Sequence, residues 1–145
     1  MQGFPHLYIA EATAGVEGAT EVSARGLPSL SCSAPAEFGG PGDQWSPETL
    51  LVAAVADCFV LSFRAIARAS KLDWISLSCE VEGVLDRLDR VTQFVEFKVN
   101  AELVIPADMD QEKALRLLDK SEQTCLITNS LKAEAHLSSN VIIAA

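Results

Sequence analysis

A run of apolar residues near the middle of the chain predicts a long central helix over residues 46–70. Ser46 can cap its N-terminus, Pro47 suits the first helical position, and Glu48 suits the positive end of the helix dipole. Beyond these residues the segment is apolar on nearly every side. A helix that is apolar all round normally lies inside a core, so we expect this one to be buried.

Alternation of apolar and polar residues predicts strands before and after this helix. The strands are expected near residues 6–14, 19–24, 28–33, 75–86, 91–105 and 134–143. The clearest of them is 91–105, where the odd-numbered positions are almost all apolar and Glu96, Lys98, Asn100 and Glu102 lie between them. This pattern is typical of an antiparallel sheet with one face in water.

Two further helices are predicted after this strand. Pro106 ends the strand, Asp108 can cap a helix over about residues 109–122, and Cys125 lies at a bend into a short third helix. Helices that follow antiparallel strands in this way indicate the α+β class. No repeat or linker divides the chain, so we expect a single domain over residues 1–145.

The net negative charge of the chain argues against negatively charged partners. It carries 20 acidic and 11 basic residues, a net charge of −9. This balance argues against a nucleic-acid partner and against binding to an anionic membrane. The N-terminus has no secretory signal, and the longest uninterrupted apolar run, 50–56, is too short to span a bilayer. We therefore expect a cytoplasmic protein.

The four cysteines are the residues that could carry chemistry. They are Cys32, Cys58, Cys79 and Cys125. No Cys-x-x-Cys motif occurs and the two histidines lie far apart, so we expect neither a metal site nor a cofactor. Cys58 in the central helix and Cys125 at the later bend could be packing residues, or a nucleophile and its resolving partner. The residue pattern alone leaves both interpretations open.

Two stretches around these cysteines resemble a known family. The first is Ser-Pro-Glu-Thr-Leu-Leu, with Cys58 ten residues after Glu48, and the second is Ser-Glu-Gln-Thr-Cys-Leu-Ile-Thr-Asn-Ser-Leu around Cys125. Together they resemble the OsmC/Ohr family, the osmotically induced and organic hydroperoxide resistance proteins. The family patterns are Asn-Pro-Glu-x-Leu followed by Ala-Cys-Phe, and Ala-Glu-x-x-Cys-Pro-x-Ser-Asn. The resemblance covers most of the chain.

The resemblance implies a fold, an activity and partners. The fold would have antiparallel sheets packed around long central helices, in an intertwined homodimer. The activity would be that of a thiol-dependent peroxidase, an antioxidant enzyme of the stress response that reduces organic hydroperoxides such as those of fatty acids. Cys58 would become a sulfenic acid, and Cys125 would resolve it as a disulfide. A dithiol or a lipoylated protein would then reduce that disulfide.

Glu48 is the third residue that the resemblance assigns to the active site. On one straight helix, the ten residues from Glu48 to Cys58 span about 15 Å. The two side chains cannot then meet within one helix. If Glu48 serves Cys58, it most simply comes from the other subunit, across a two-fold axis between antiparallel helices.

The activating cation is the part of the family pattern that this sequence lacks. Family members use an arginine, held by the glutamate, at positions that align with Val16 or Phe38, and neither is arginine here. Arg25 is the only arginine before the central helix, so it is the candidate for this role. A cation near the sulfur favours the thiolate.

A second function is compatible with the same residues. Asp57 precedes Cys58 where a small neutral residue is usual, and Leu126 replaces the proline that usually follows the second cysteine. These departures, with the missing arginine, fit a non-enzymatic OsmC-like protein. Such a protein would bind a small apolar ligand at the dimer interface.

Overall fold

The helices and strands of the computed structural model, which describes residues 1–145, follow the predicted order. The strands are β1 (Glu11–Thr13), β2 (Thr20–Ser23), β3 (Leu30–Cys32), β4 (Ser76–Leu88), β5 (Val91–Ile105) and β6 (Glu134–Ile143). The helices are α1 (Pro47–Ala69), α2 (Gln111–Gln123) and α3 (Leu126–Asn129), with a turn of 3-10 helix at Ala36–Phe38. The expected α+β class is confirmed. The chain forms two compact units, Met1–Leu51 and Val52–Ala145, and the single domain stays a prediction.

The first unit contains an antiparallel sheet in the order β1-β2-β3. The loop after β3 is closed by a hydrogen bond of 2.9 Å from the Ser33 N–H to the Trp45 carbonyl. The chain then enters α1 through the predicted cap. The Ser46 hydroxyl accepts a hydrogen bond from the Thr49 N–H at 3.1 Å, and the Thr49 hydroxyl accepts one from the Ser46 N–H at 2.9 Å. This reciprocal pair fixes where α1 begins.

The second unit contains a sheet in the order β4-β5-β6, and its pairing differs from the expectation. Strands β4 and β5 form an antiparallel hairpin, whose turn has Asp89 and Arg90 at positive φ. Strands β5 and β6, however, are parallel. Parallel neighbours need a crossover connection, and here α2 and α3 provide it. The sheet is therefore mixed rather than wholly antiparallel.

α1 buries one stripe of side chains rather than its whole surface. The buried residues recur at helical spacing and are Val55, Phe59, Phe63 and Ala67. On the opposite side Leu61 is 49% exposed. The expectation that α1 is buried all round is therefore wrong for a single chain. With 23 residues and a mean hydropathy of 2.0 over 18 of them, α1 is also long and apolar enough to cross a membrane. Core helices of soluble proteins meet the same criterion.

α2 begins slightly later than predicted because another aspartate caps it. Oδ1 of Asp110 accepts hydrogen bonds from the N–H groups of Glu112 at 2.9 Å and Lys113 at 3.2 Å. The predicted cap, Asp108, lies outside the helix. Both bonds satisfy N–H groups of the first turn, so the helix begins at Gln111.

A β-bulge in the hairpin changes which side chains of β5 face α1. The register shifts between Val84 and Leu85 of β4. As a result Phe94 shares a face with Phe97, and their rings stack with centroids 5.2 Å apart. The predicted odd-numbered face is buried only from Phe97 to the end of the strand. Bulges of this kind redirect side chains locally.

Candidate active site: a pair of thiols

Cys58 and Cys125 are positioned by different elements of the second unit. Cys58 lies on α1 and is half-buried. Cys125 is buried and is the residue from which α3 starts. Its carbonyl accepts hydrogen bonds from the Asn129 N–H at 3.0 Å and from the Thr128 hydroxyl at 3.1 Å. This short helix therefore fixes the backbone on one side of Cys125.

The fold brings these two thiols together although 67 residues separate them in sequence. The Cys125 side chain and the backbone of Ile127 both lie close enough to the Cys58 thiol to change its pKa. A third group is the Ser62 hydroxyl, whose Oγ lies 4.0 Å from the Cys58 Sγ. Two elements, α1 and the start of α3, thus surround one sulfur atom.

The pKa of the Cys58 thiol is raised above its ordinary value. Burial is the main cause, and the hydrogen bond with Cys125 and the charge of its thiolate act in the same direction. The backbone of Ile127 and the hydroxyl of Ser62 oppose the rise. The carboxylate of Asp57 is exposed and does not contribute. Within one chain, the groups that favour the thiolate form of Cys58 are therefore both neutral, the backbone of Ile127 and the hydroxyl of Ser62.

The other two cysteines have different surroundings. Burial in the sheet, together with the charge of Cys125, raises the pKa of Cys79 to about 11. Cys32 is buried in the first unit, and its thiol donates to the Leu30 carbonyl at 4.0 Å. All four cysteines are free thiols, and no group of three or more metal-ligating side chains occurs.

Glu48 has an unusual environment for a carboxylate. It lies in the first turn of α1 and is half-buried, and its Oε1 is inaccessible to solvent without a hydrogen-bond partner. Buried polar atoms nearly always have a hydrogen-bond partner. Within one chain this oxygen has none. Glu48 and Cys58 lie on one uninterrupted helix, as predicted. The meeting of Glu48 with Cys58 of another subunit stays a prediction.

Arg25 is not brought into any ion pair. It lies exposed in the turn between β2 and β3, and none of the three ion pairs of the chain includes it. The two positions at which the resemblance would place the arginine are also exposed, Val16 fully and Phe38 by 59%. No cation contributes to the pKa of Cys58. The role of Arg25 therefore stays a prediction.

Sequence reasoning missed two groups that contact Cys58. One is Ser62, which the spacing of four residues on a predicted helix could have indicated. The other is the backbone of Ile127, for which the sequence contains no signal because any residue carries an N–H group.

Comparisons with known proteins identify relatives of this chain. The family model described as OsmC-like protein matches residues 40–140. An organic hydroperoxide resistance protein from Xanthomonas axonopodis pv. citri is 31% identical over 132 residues, which cover 87% of this chain and 88% of the relative. The uncharacterized protein YmaD from Bacillus subtilis is 27% identical over 110 residues, 74% of this chain and 73% of the relative.

Solved structures show the same fold. An OsmC-like protein of unknown function from Vibrio cholerae superposes with a TM-score of 0.85 at 17% identity, over 95% of this chain and 100% of the other. An organic hydroperoxide resistance protein OsmC from Legionella pneumophila has a TM-score of 0.75 at 26% identity, over 97% and 99% of the two chains. With the family match over residues 40–140, these similarities establish that the chain belongs to the family of OsmC-like proteins.

Proposed function

We propose that this protein is a thiol-dependent peroxidase that reduces organic hydroperoxides. The observation that carries the proposal is that the fold places the Cys125 thiol close enough to the Cys58 thiol to raise the pKa of Cys58. A peroxidatic thiol needs a second thiol beside it to form a disulfide, and this fold supplies one. The Xanthomonas relative, named for organic hydroperoxide resistance, supports a role in resistance to these compounds.

The proposed reaction begins at the more accessible thiol, Cys58. Its thiolate attacks the terminal oxygen of the hydroperoxide, the O–O bond breaks, and the alkoxide takes up a proton and leaves as an alcohol. Cys58 is now a sulfenic acid. The Cys125 sulfur attacks it, water leaves, and a disulfide forms. An external dithiol, free or on a lipoylated protein, returns both cysteines to thiols by exchange.

The active form would be a homodimer, with α1 at its centre. Apolar side chains on α1 remain exposed in one chain, among them Leu61. The N-terminal segment exposes another group of large apolar side chains, Phe4, Leu7, Tyr8 and Ile9. A second copy of the chain would cover such surfaces, since exposed apolar patches mark interaction sites. It would also allow Glu48 of one chain to approach Cys58 of the other.

A non-enzymatic binding protein is the second candidate. The raised pKa of Cys58 favours it, because a protonated thiol is a poor nucleophile. In that case the apolar surface beside Cys58 would hold a small apolar ligand at the dimer interface without reacting.

Intact mass measured after treatment with cumene hydroperoxide separates the two candidates. The peroxidase should lose the mass of two hydrogen atoms, and peptide mapping should find a disulfide between Cys58 and Cys125. Cys58→Ser should abolish this loss, whereas Cys125→Ser should stop at a sulfenic acid that dimedone traps. Cys32→Ser, a change in the other unit, should react like the wild type. An unchanged mass with four unreacted thiols would contradict the peroxidase and favour the binder.

A further inference from the structure

The hydroxyl of Ser62 behaves differently from that of Ser121, the serine inside α2. Ser121 donates to the carbonyl four residues earlier at 2.6 Å. This is the usual bond of a serine inside a helix. Ser62 instead points its Oγ at the Cys58 sulfur, 4.0 Å away. Its hydroxyl is therefore available to the thiol.

The position of Ser62 follows from helix geometry. Residues four apart lie one above the other on the same face, and Ser62 is four residues after Cys58 on α1. Both side chains are half-buried, so water competes less for the hydroxyl than it would on the surface. The contact does not depend on a loop or on a second chain.

Ser62 meets a second donor at the same sulfur. The backbone of Ile127 reaches Cys58 from the start of α3, while Ser62 reaches it from α1. Charged side chains near Cys58 on α1, Asp57 and Arg64, are exposed and do not act on the thiol. The titratable group that acts on Cys58 is Cys125, which in turn acts on Cys79. Neutral hydrogen-bond donors, rather than a cation, thus favour the thiolate form of Cys58.

We propose that Ser62 is a further catalytic residue, which acts with the Ile127 N–H to hold the reacting sulfur by neutral hydrogen bonds. The inference rests on the proposed peroxidase function. A hydroxyl is both donor and acceptor. It accepts from the S–H of the resting thiol, and after the proton leaves it rotates to donate to the thiolate. When the thiolate attacks, an S–O bond forms while the O–O bond of the hydroperoxide breaks, and the departing alkoxide takes up a proton from solvent.

The pH dependence of Cys58 alkylation by iodoacetamide tests this role without any hydroperoxide. Ser62→Val and Ser62→Thr form a matched pair, since these side chains have nearly the same shape and differ in the hydroxyl. We expect Ser62→Val to move the alkylation midpoint to higher pH and to slow alkylation at pH 7 by about three- to tenfold, where tenfold corresponds to one pKa unit. Ser62→Thr should stay close to the wild type.

Two outcomes would overturn the role of Ser62. One is an alkylation profile of Ser62→Val that coincides with that of the wild type. The other is an equal slowing in Ser62→Thr, which would indicate a packing effect. Ser62→Ala provides a smaller side chain if the valine disturbs α1, and the same profile is expected of it. Alkylation needs no hydroperoxide, so it tests the role of Ser62 separately from the peroxidase. If the wild-type protein forms no disulfide with cumene hydroperoxide, the peroxidase is contradicted, and the alkylation profile still decides the role of Ser62.

Discussion

Cys58 is surrounded by groups that pull its reactivity in opposite directions. Burial and Cys125 raise the pKa of its thiol, so a smaller fraction is thiolate at neutral pH. A thiolate of higher pKa is, however, the stronger nucleophile once formed. We therefore expect the half-buried Cys58 thiol to react slowly at neutral pH, with a rate that rises with pH until the thiol is fully ionised.

Cys79 makes the stability of the folded chain depend on pH. Its pKa rises from the ordinary 9.0 to about 11 on folding, so the folded state retains a proton that the unfolded state has lost between these values. The stabilisation is complete below pH 9 and is lost as the pH rises towards 11. Because Cys79 is only partly buried, solvent screening reduces the size of this effect.

The variant Cys79→Ala isolates this effect. Its free energy of unfolding, measured with urea between pH 8 and pH 11, should fall less steeply with pH than that of the wild type. The cavity left by the sulfur lowers stability by the same amount at every pH, so it does not change the slope. Parallel curves for the two proteins would contradict a raised pKa at Cys79.

For individual residues, the sequence predicts part of the candidate active site. Cys58, Cys125 and Glu48 are found through the motifs around them, and the cap at Ser46 through its own chemistry. The contact of Ile127 with Cys58 depends on where α3 starts in space, which no pattern of residue types records. Asp108 and Asp110 are equally good caps by residue type, so the residue type alone does not predict that Asp110 caps α2.

At Gly83 in β4, the β4–β5 hairpin lies close to Val52 of α1. A Cβ atom on Gly83 would lie 2.8 Å from Cγ2 of Val52 and 2.9 Å from the ring of Phe94. Such distances are shorter than van der Waals contact. The absence of a side chain here allows the helix that carries Cys58 to lie against the sheet.

Gly83→Ala should therefore destabilise the fold by about 1–3 kcal/mol through overpacking. The measurement is the free energy of unfolding in urea. In the background of Val52→Ala, which removes one of the two contacting groups, the same change should cost less. If Gly83→Ala costs nothing in either background, the close approach of α1 to the hairpin is wrong.

The pattern of apolar residues predicts these elements better than it predicts their pairing. It places β5 at the residues where it lies, because alternation is a local property of a strand. The bulge opposite Val84 and the parallel pairing of β5 with β6 are consequences of how distant segments meet. The sequence pattern overestimates the burial of α1 for a related reason. Composition shows that a face is apolar, but not whether the same chain or a second copy covers it.

For the whole molecule, the exposed apolar surface predicts a dimer in solution. Sedimentation equilibrium should give twice the mass of 15.5 kDa. Leu61→Lys introduces a charge on the exposed side of α1 and should shift the equilibrium towards the monomer by at least tenfold. The control is Leu115→Lys on α2, where the leucine is 37% exposed. A wild type that sediments as a monomer at micromolar concentration would contradict the dimer.

The parallel pairing of β5 with β6 has a consequence for how the chain matures. The crossover between these strands contains Cys125, and Gln111 at the start of α2 donates to the carbonyl of Val141 in β6 at 3.2 Å. Pairing of distant segments is slow, so β6 should be among the last elements to dock. If the chain acts as the proposed peroxidase, a nascent chain would until then carry Cys58 without a neighbouring thiol to intercept its sulfenic acid. Oxidation of such a chain would proceed to the irreversible sulfinic acid, so we expect the resolving chemistry to be acquired only at the end of folding.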